Sequence, residues 1–583
     1  MLLVRQDKES MLREDSFMKA VFHGVIESDL IFPYPKMGDE ESETVAMILE
    51  SIRRFAEAYI DPAQIDSDHK LSDEILAKMK ELGLFGLIIP EAYGGFGLSN
   101  TAYARVMEEL GAIDPSLAVT VGAHQSIGLK GILLAGNAEQ KRKYLPSLAT
   151  GETVAAFALT EPSAGSDAGS IKTRAELSED GTEYILNGSK IWITNGRFAD
   201  VFTVFARTTN PDGSGKPKII ALIVERQHGV KNGPDEDKLG IRGSSTTDLF
   251  FDDTRVPVEN VLGEPGAGFK VAMQVLNNGR FGLAAGCIGN NKKLIALATE
   301  RCNERVAFKK KIGEFGMVKD KIARMMCETY ALESMTYLTT GLIDAGVPDY
   351  SLESAICKVY GSESLWTTCN EALQIAGGLG YMCEYPYEKI LRDARINLIF
   401  EGTNEILRAF IALSGLQGPG NHLKEALQAM REPIKGFGVL TGFVARKAKQ
   451  TLSPDRLSGG HDALRKEIVL FEECTSELAK CAERVLRKHG RRIHLMQFAQ
   501  KRLAEVAMDL YGLAAVISRT TAFIEEKGED KAAREIELAR GFRCMIEARV
   551  RSKLSRMERD EDELLKQIAE TTYERGNYPF GII

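Results

Sequence analysis

"EYILNGSKIWIT", Glu183 to Thr194, is the stretch on which the fold turns. It is rich in β-branched and aromatic residues, which marks a strand. Similar runs surround it: "TVAAFALT" (153–160), "DVFTVFART" (200–208), "KIIALIVER" (218–226) and "TDLFFDDTRVP" (247–257). Turn signals separate them, and Asp180-Gly181 and Asn187-Gly188 suit tight hairpins. Residues 156–265 therefore read as a small antiparallel β-barrel or sandwich. On both sides the period becomes helical. "ETVAMILESIRRFAEAYI" (43–60) repeats its apolar residues at three and four, and "SDEILAKMKELGLFGLIIP" (72–90) starts on a good N-cap and stops at Pro90. The expected layout is an arm over 1–40, helices over 41–155, strands over 156–265, helices over 266–415 and, after "GLQGPGNH", a further helical block over 416–583.

Bulk properties narrow the function. A chain of 583 residues exceeds one hydrophobic core, and 44% apolar with 27% charged residues is the balance of a folded chain. A net charge of −8 gives no electrostatic support for nucleic-acid binding. The nine cysteines form no CxxC pair and read as free thiols in a reducing compartment. No metal site is expected, since the histidines do not cluster with acids. "MLLVRQDKESMLRED" has no apolar h-region and carries acids. It suggests a bacterial-type cytoplasmic protein, possible at the inner membrane's surface, or a mitochondrial one if a leader precedes it. No apolar run approaches the ~18–20 residues that span a bilayer. Dinucleotide GxGxxG, P-loop and HExxH patterns are absent.

Four local patterns suggest chemistry. "FALTEPSAGSDAGSIKT" (157–173) leaves a strand and enters a loop whose hydroxyls (Thr160, Ser163, Ser166) and glycines (Gly165, Gly169) suit a phosphate or a polar ring edge; taken alone, an ordinary surface hairpin is the better reading. Trp192 and Thr194 stand two apart on one strand, an aromatic plate beside a hydroxyl, although a core tryptophan is as good a reading. "LIFEGTNEILR" (398–408) sets a lone acid, Glu401, behind Phe400 and before Gly402. On the residues alone, an acid in the first turn of the helix that follows explains it better. Gly128 and Gly131, three apart in "SIGLKG", open space on one helix face, either for a ligand or for close packing.

"LTEPSAGSD", "LNGSKIWITNG", "QIAGGLGY" and "LRDARINLIFEGTNEILR", in this order with the strand block, resemble the acyl-CoA dehydrogenase family over about 41–415. "AHQSIGLKGILLAG", "GETVAAFALTEP", "VLNNGRFGLAAG" and "FAQKRLAEVAMDLYGLAAVISR" are similar to its very-long-chain subgroup. The resemblance implies an α+β multi-domain fold: an N-terminal helical domain, a middle β domain, a C-terminal four-helix domain and an additional helical domain. It implies bound FAD, with Phe157, Leu159, Thr160, Gly165, Ser166, Trp192 and Thr194 around the flavin. Arg305, Phe308, Gln374 and Gly378 match the adenine and pyrophosphate end, partly across a subunit interface, and Thr403 and Glu405 match further FAD contacts.

The implied reaction removes a proton from Cα and a hydride from Cβ of a long-chain acyl-CoA. Glu401 is the matched base, and its apolar setting should raise its pKa. Relatives that carry the base in the stretch matching "LNNGRFG" have it where this chain has Gly279. Asn277 and Arg280 match contacts to the CoA chain, Ser166, Phe400 and Gly402 line the thioester, and Gly128 and Gly131 match the floor of the acyl tunnel. Phe308-Lys309 departs from the family's Phe-Gly. The implied partners are an electron-transfer flavoprotein and a second copy in a homodimer. Within 432–452, Ile434, Phe437, Leu440, Phe443 and Val444 lie opposite Lys435, Arg446 and Lys449, which suits either a peripheral membrane contact or a segment docked on the protein. An oxidase using O₂ and an assembly factor for a respiratory complex remain as alternatives on the same fold.

Overall fold

The computed structural model describes residues 16–209, 217–431 and 455–581. Two compact units form, one of residues 34–404 and one of residues 1–33 with 405–583. The helix α1 (Phe17–Phe22) belongs to the second.

The larger unit begins with α2 (Asp39–Tyr59), α3 (Pro62–Asp68), α4 (Asp73–Glu81), α5 (Asn100–Ile113), α6 (Pro115–Gly122), α7 (Lys130–Ala135) and α8 (Ala138–Thr150). Side-chain caps start several of them: Ser72 accepts from Ile75 N, Ser99 from Ala102 N, and Asn137 forms a reciprocal box with Gln140. The helix expected to run to Pro90 stops at Glu81. Gly83 follows with φ 71°, and the Phe96 ring occupies the space a Cβ there would need, 2.5 Å away. Between α6 and α7 the chain widens into a π-helical turn over Ala123–Gly128. The joined run Pro115–Ala135 is long and apolar enough to cross a bilayer, contrary to the sequence reading, but most of it is buried inside the fold.

The sheet contains β1 (Ala155–Ala158), β2 (Arg174–Leu177), β3 (Glu183–Thr194), β4 (Val201–Thr208), β5 (Lys218–Glu225), β6 (Lys231–Asp235) and β7 (Thr246–Pro257), in the order β1-β4-β2-β3-β7-β6, with β5 also on β4. It is mostly antiparallel, but β1 and β2 meet β4 in parallel. Asp180-Gly181 makes the β2–β3 hairpin turn. Asn187-Gly188 does not make a turn. It lies inside β3, where the register against β7 slips and Gly188 sits at φ 145°.

β4 and β5 are buried on both faces, which is why they read as continuous apolar runs. Phe202, Val204, Leu222 and Val224 fill the sheet's own core. Val201, Phe205, Ala221 and Ile223 pack on Leu129, Ile132, Leu148, Leu262 and Val275.

α9 (Gly268–Glu304), a short hairpin of β8 (Val306–Ala307) and β9 (Lys310–Lys311), α10 (Gly316–Asp344), α11 (Ser351–Ala376) and α12 (Pro386–Ala394) complete this unit. Helices α9, α10 and α11 pack on one another, and α12 packs on α11. A buried clamp ties the parts: Lys389 on α12 donates to Asp114, the cap of α6, and to Asp393, each at 2.8 Å, and Asp393 accepts Ile241 N from the β segment.

The second unit holds α1, α13 (Asn404–Arg431, all but its first residue), α14 (Arg465–His489), α15 (Gln497–Lys527), α16 (Ala533–Ser555) and α17 (Glu561–Arg575). Phe17 stacks on Phe471 at 6.2 Å, and Leu503, Leu510, Phe542 and Ile546 are also buried. The segment 432–452 expected to touch a membrane or dock on the protein lies outside the described residues.

Candidate active site

The backbone reaches Glu401 through a sharp change of direction. α12 ends at Ala394, one 3-10 turn covers Arg395–Leu398, and α13 starts only at Asn404. Between them Glu401 and Gly402 are both left-handed, with φ of 57° and 98°. Gly402 does this freely, whereas a residue with a Cβ loses about 1 kcal/mol or more. Glu401 is thus outside α13, and the acid in that helix's first turn is Glu405.

The turn aims the carboxylate at α9. A Cβ on Gly279 would lie 2.8 Å from Glu401 Oε2, 3.0 Å from Oε1 and 3.0 Å from Ile127 Cγ2. Glu401 as a residue is half-buried, but its Oε2 is sealed and accepts no hydrogen bond. Burial pushes the carboxyl up to about 7, against the opposing pull of Arg280 and Lys358.

Those cations hold the backbone of the turn. Arg280 Nε donates to Glu401 O at 3.4 Å, and its Nη1 donates to Asn277 Oδ1 at 2.8 Å. Arg280 is 6% exposed, so a surface ion pair is excluded for it, and burial pulls its guanidinium down to about 10. Lys358 on α11 donates to Gly402 O and to Asn404 Oδ1, each at 2.8 Å. Tyr103, fully buried on α5, also faces the carboxylate electrostatically.

The β segment presents a different surface. β3 bulges between Lys190 and Ile193. Within the bulge Trp192 has φ 58° and is 63% exposed as a residue, which excludes a core tryptophan; Ile193 takes the buried place. Ile191 N donates to Thr160 O at 3.0 Å. The buried Lys190 Nζ donates to Leu159 O at 3.1 Å and Glu161 Oε1 at 2.7 Å, and Glu161 accepts Thr173 N at 3.0 Å. The loop 160–173 is therefore fastened to β3, with Ser163, Gly165 and Ser166 exposed and open space over Gly165. Thr160 and Thr194 are half-buried.

The other expected residues are placed as follows. The Leu159 side chain is 7% exposed, within the core, and Phe157 packs on Phe205 at 5.1 Å. The backbone around Gly128 and Gly131 is closely approached by its neighbours. A Cβ on Gly128 would meet Ala123 O at 2.7 Å and Ala155 O at 2.9 Å, and one on Gly131 would meet Thr203 Cγ2 at 3.2 Å. Arg305 and Phe308 lie at the β8–β9 hairpin, and Gln374 and Gly378 at the end of α11; all four are exposed. Phe308 and Lys309 form the hairpin turn with φ of 50° and 66°, so the turn persists although glycine is missing. Phe400 and Thr403 are half-buried beside Glu401 and Gly402, and Glu405 is exposed. No cluster of His, Cys, Asp or Glu fit for a metal occurs among the described residues. Sequence reading missed Lys358, Tyr103 and Ile127. A lysine inside the apolar run "SAICKVYG" (354–361) was the available signal for the first.

Comparison with known proteins gives matches in chain order. Models of the acyl-CoA dehydrogenase N-terminal, middle and C-terminal domains match residues 42–152, 156–254 and 266–416, and a model of the ACAD9/ACADV C-terminal domain matches 462–578. The mitochondrial very long-chain specific acyl-CoA dehydrogenase of Homo sapiens is 43% identical over 98% of this chain and 89% of its own. A probable acyl-CoA dehydrogenase of Bacillus subtilis is 36% identical over 88% and 86%. Among solved structures, an acyl-CoA dehydrogenase from Bacillus anthracis complexed with FAD superposes with a TM-score of 0.76 at 32% identity over 96% of both chains. Butyryl-CoA dehydrogenase from Megasphaera elsdenii gives 0.62 at 36% identity over 66% of this chain and 100% of its own. With the sealed carboxylate and the exposed tryptophan in place, these matches identify the chain as a member of the acyl-CoA dehydrogenase family, of the subgroup that carries the additional C-terminal domain.

Proposed function

We propose that this chain oxidises long-chain acyl-CoA thioesters to trans-2-enoyl-CoA in fatty acid β-oxidation, with Glu401 as the base. One observation carries the assignment: a carboxylate buried against Gly279, with one oxygen unpartnered and a proton affinity raised to about 7. An acid of that kind is poised to take a proton near neutral pH.

FAD fits the residues present. Trp192 offers a flat exposed face, and the loop beside it offers hydroxyls and backbone with open space over Gly165. Thr160, Gly165, Ser166, Trp192 and Thr194 would hold the ring system, with backbone contributions from Phe157 and Leu159. Arg305, Phe308, Gln374, Gly378, Thr403 and Glu405 would hold the remainder, partly from a second copy. Bound FAD supplies the acceptor for the hydride leaving Cβ.

The chain's own residues do the rest. Glu401 takes the Cα proton. Gly402 carries no side chain near the thioester and lets the Glu401 N–H approach the carbonyl oxygen, where negative charge develops. Ser166 and Phe400 flank the thioester. Arg280, which also fixes the carbonyl of Glu401, and half-buried Asn277 contact the CoA chain. Apolar Ile127 and Gly279 keep water from the carboxylate.

Electrons then pass to an electron-transfer flavoprotein, and the protein works as a homodimer in peripheral contact with the membrane. The mitochondrial names of the mammalian relatives and the free cysteines support a reducing compartment of fatty acid oxidation. Anaerobic titration of the yellow holoenzyme with acyl-CoAs of graded length tests the reading. Long chains should bleach the flavin stoichiometrically, and Glu401→Gln should abolish the bleaching. Bleaching that survives in that variant removes Glu401 as the base, and peroxide formed during aerobic turnover would favour an oxidase.

A further inference from the structure

We propose that Lys358 is a positioning residue for proton abstraction: it clamps the Glu401–Gly402 turn in its left-handed form and holds a positive charge beside the carboxylate. The proposal rests on the reading of Glu401 as the base.

Lys358 is fully buried in the middle of α11, far from the surface ion pairs in which lysines are usually spent. Its Nζ donates to Gly402 O and to Asn404 Oδ1, both at 2.8 Å. Asn404 is fastened to the same helix, donating to Ser362 Oγ at 3.0 Å and Glu363 Oε1 at 3.2 Å. Arg280, from α9, takes the preceding carbonyl, that of Glu401. Two cations from two helices thus hold two successive carbonyls. This arrangement explains how two consecutive left-handed residues persist, one of them with a full side chain. Without a donor, Gly402 O would be a carbonyl facing a buried helix with no partner, which is costly.

The charge has its own effect. The groups facing Glu401 are Arg280, Lys358 and Tyr103. Those facing Lys358 are Glu401, Arg280, Cys287 and Glu363. Burial pushes both the Tyr103 hydroxyl and the Cys287 thiol up, so both are neutral near pH 7. Burial pulls Arg280 down to about 10 and Lys358 down to about 8, so at pH 7 both still carry the positive charge that opposes burial of the ionised base. Removing one of them raises the proton affinity of Glu401 and moves the rising limb of the pH–rate profile to higher pH.

The test is stopped-flow reduction of the holoenzyme by palmitoyl-CoA across pH, without oxygen, for wild type, Lys358→Met, Lys358→Gln and Lys358→Arg. Lys358→Met should slow reduction roughly tenfold at neutral pH and shift the limb up by about one unit, with little change in KM. Lys358→Gln keeps a donor for Gly402 O and tests the charge alone if the Met variant fails to fold; it should shift the limb with a smaller loss of maximal rate. Lys358→Arg should keep the wild-type limb. A wild-type limb and rate in Lys358→Gln, or a Met variant that loses only thermal stability, overturns the proposal. Glu401→Gln run alongside separates the two readings: full reduction there defeats the base itself, whatever the lysine variants do.

Discussion

Gly279 and Glu401 face each other so closely that a single methyl added to the glycine would sit 2.8 Å from Oε2. Gly279→Ala should therefore push the carboxylate out of line. Alanine is also the better helix former by about 1 kcal/mol, and Gly279 lies within α9. The expected outcome separates activity from folding: kcat falls by roughly a hundredfold while the melting temperature holds or rises. A parallel loss of both would mean the helix itself had moved.

Glu401→Gln should retain the fold and lose flavin reduction by a factor of roughly 10³ or more, the scale of a lost general base. In wild type the reduction rate should rise with pH through about 7, because the base must be ionised and burial has raised its proton affinity.

The same carboxyl links stability to pH. Its folded-state pKa lies above its unfolded value, so its contribution is full below about 4.5 and is lost as pH rises through about 7. Glu401→Gln should leave the melting temperature unchanged near pH 4 and raise it by a few degrees near about pH 8. Thermal scans of the holoenzyme at the two pH values read this directly.

Legibility in the sequence followed the range of the interaction. Glu401 stood out through its neighbours Phe400 and Gly402, but nothing local announced its left-handed backbone or its contact with Gly279. Both arise from α9 and α11, remote in the chain. Asn187-Gly188 carried a hairpin signal that the structure uses as a bulge, since the same dipeptide satisfies either geometry. Pro90 drew the eye as a helix stop while Gly83, with Phe96 packed on it, ended the helix earlier. The close neighbours of Gly128 and Gly131, Ala155 and Thr203, lie on strands that no helical wheel includes.

Gly128→Ala should destabilise the larger unit by about 2 kcal/mol or more, since its methyl would meet the Ala123 and Ala155 backbones, which cannot give way as a side chain can. Denaturant midpoints measure it. A neutral outcome would show that the π-helical turn relaxes.

Lys309→Gly should stabilise the β8–β9 hairpin by about 0.5–1 kcal/mol, because Lys309 holds a left-handed angle of 66° that glycine adopts without strain. Slower amide exchange at Val306 and Lys311 reports it.

β4 and β5 have grease on both sides, one half matched within the sheet and the other half by helices that come before and after them in the chain. The middle segment is thus no detachable module. Cut out at its ends and produced alone, it would present a bare apolar slab and stick to its own copies. On the ribosome, its first strands must wait for α9 before that slab is covered.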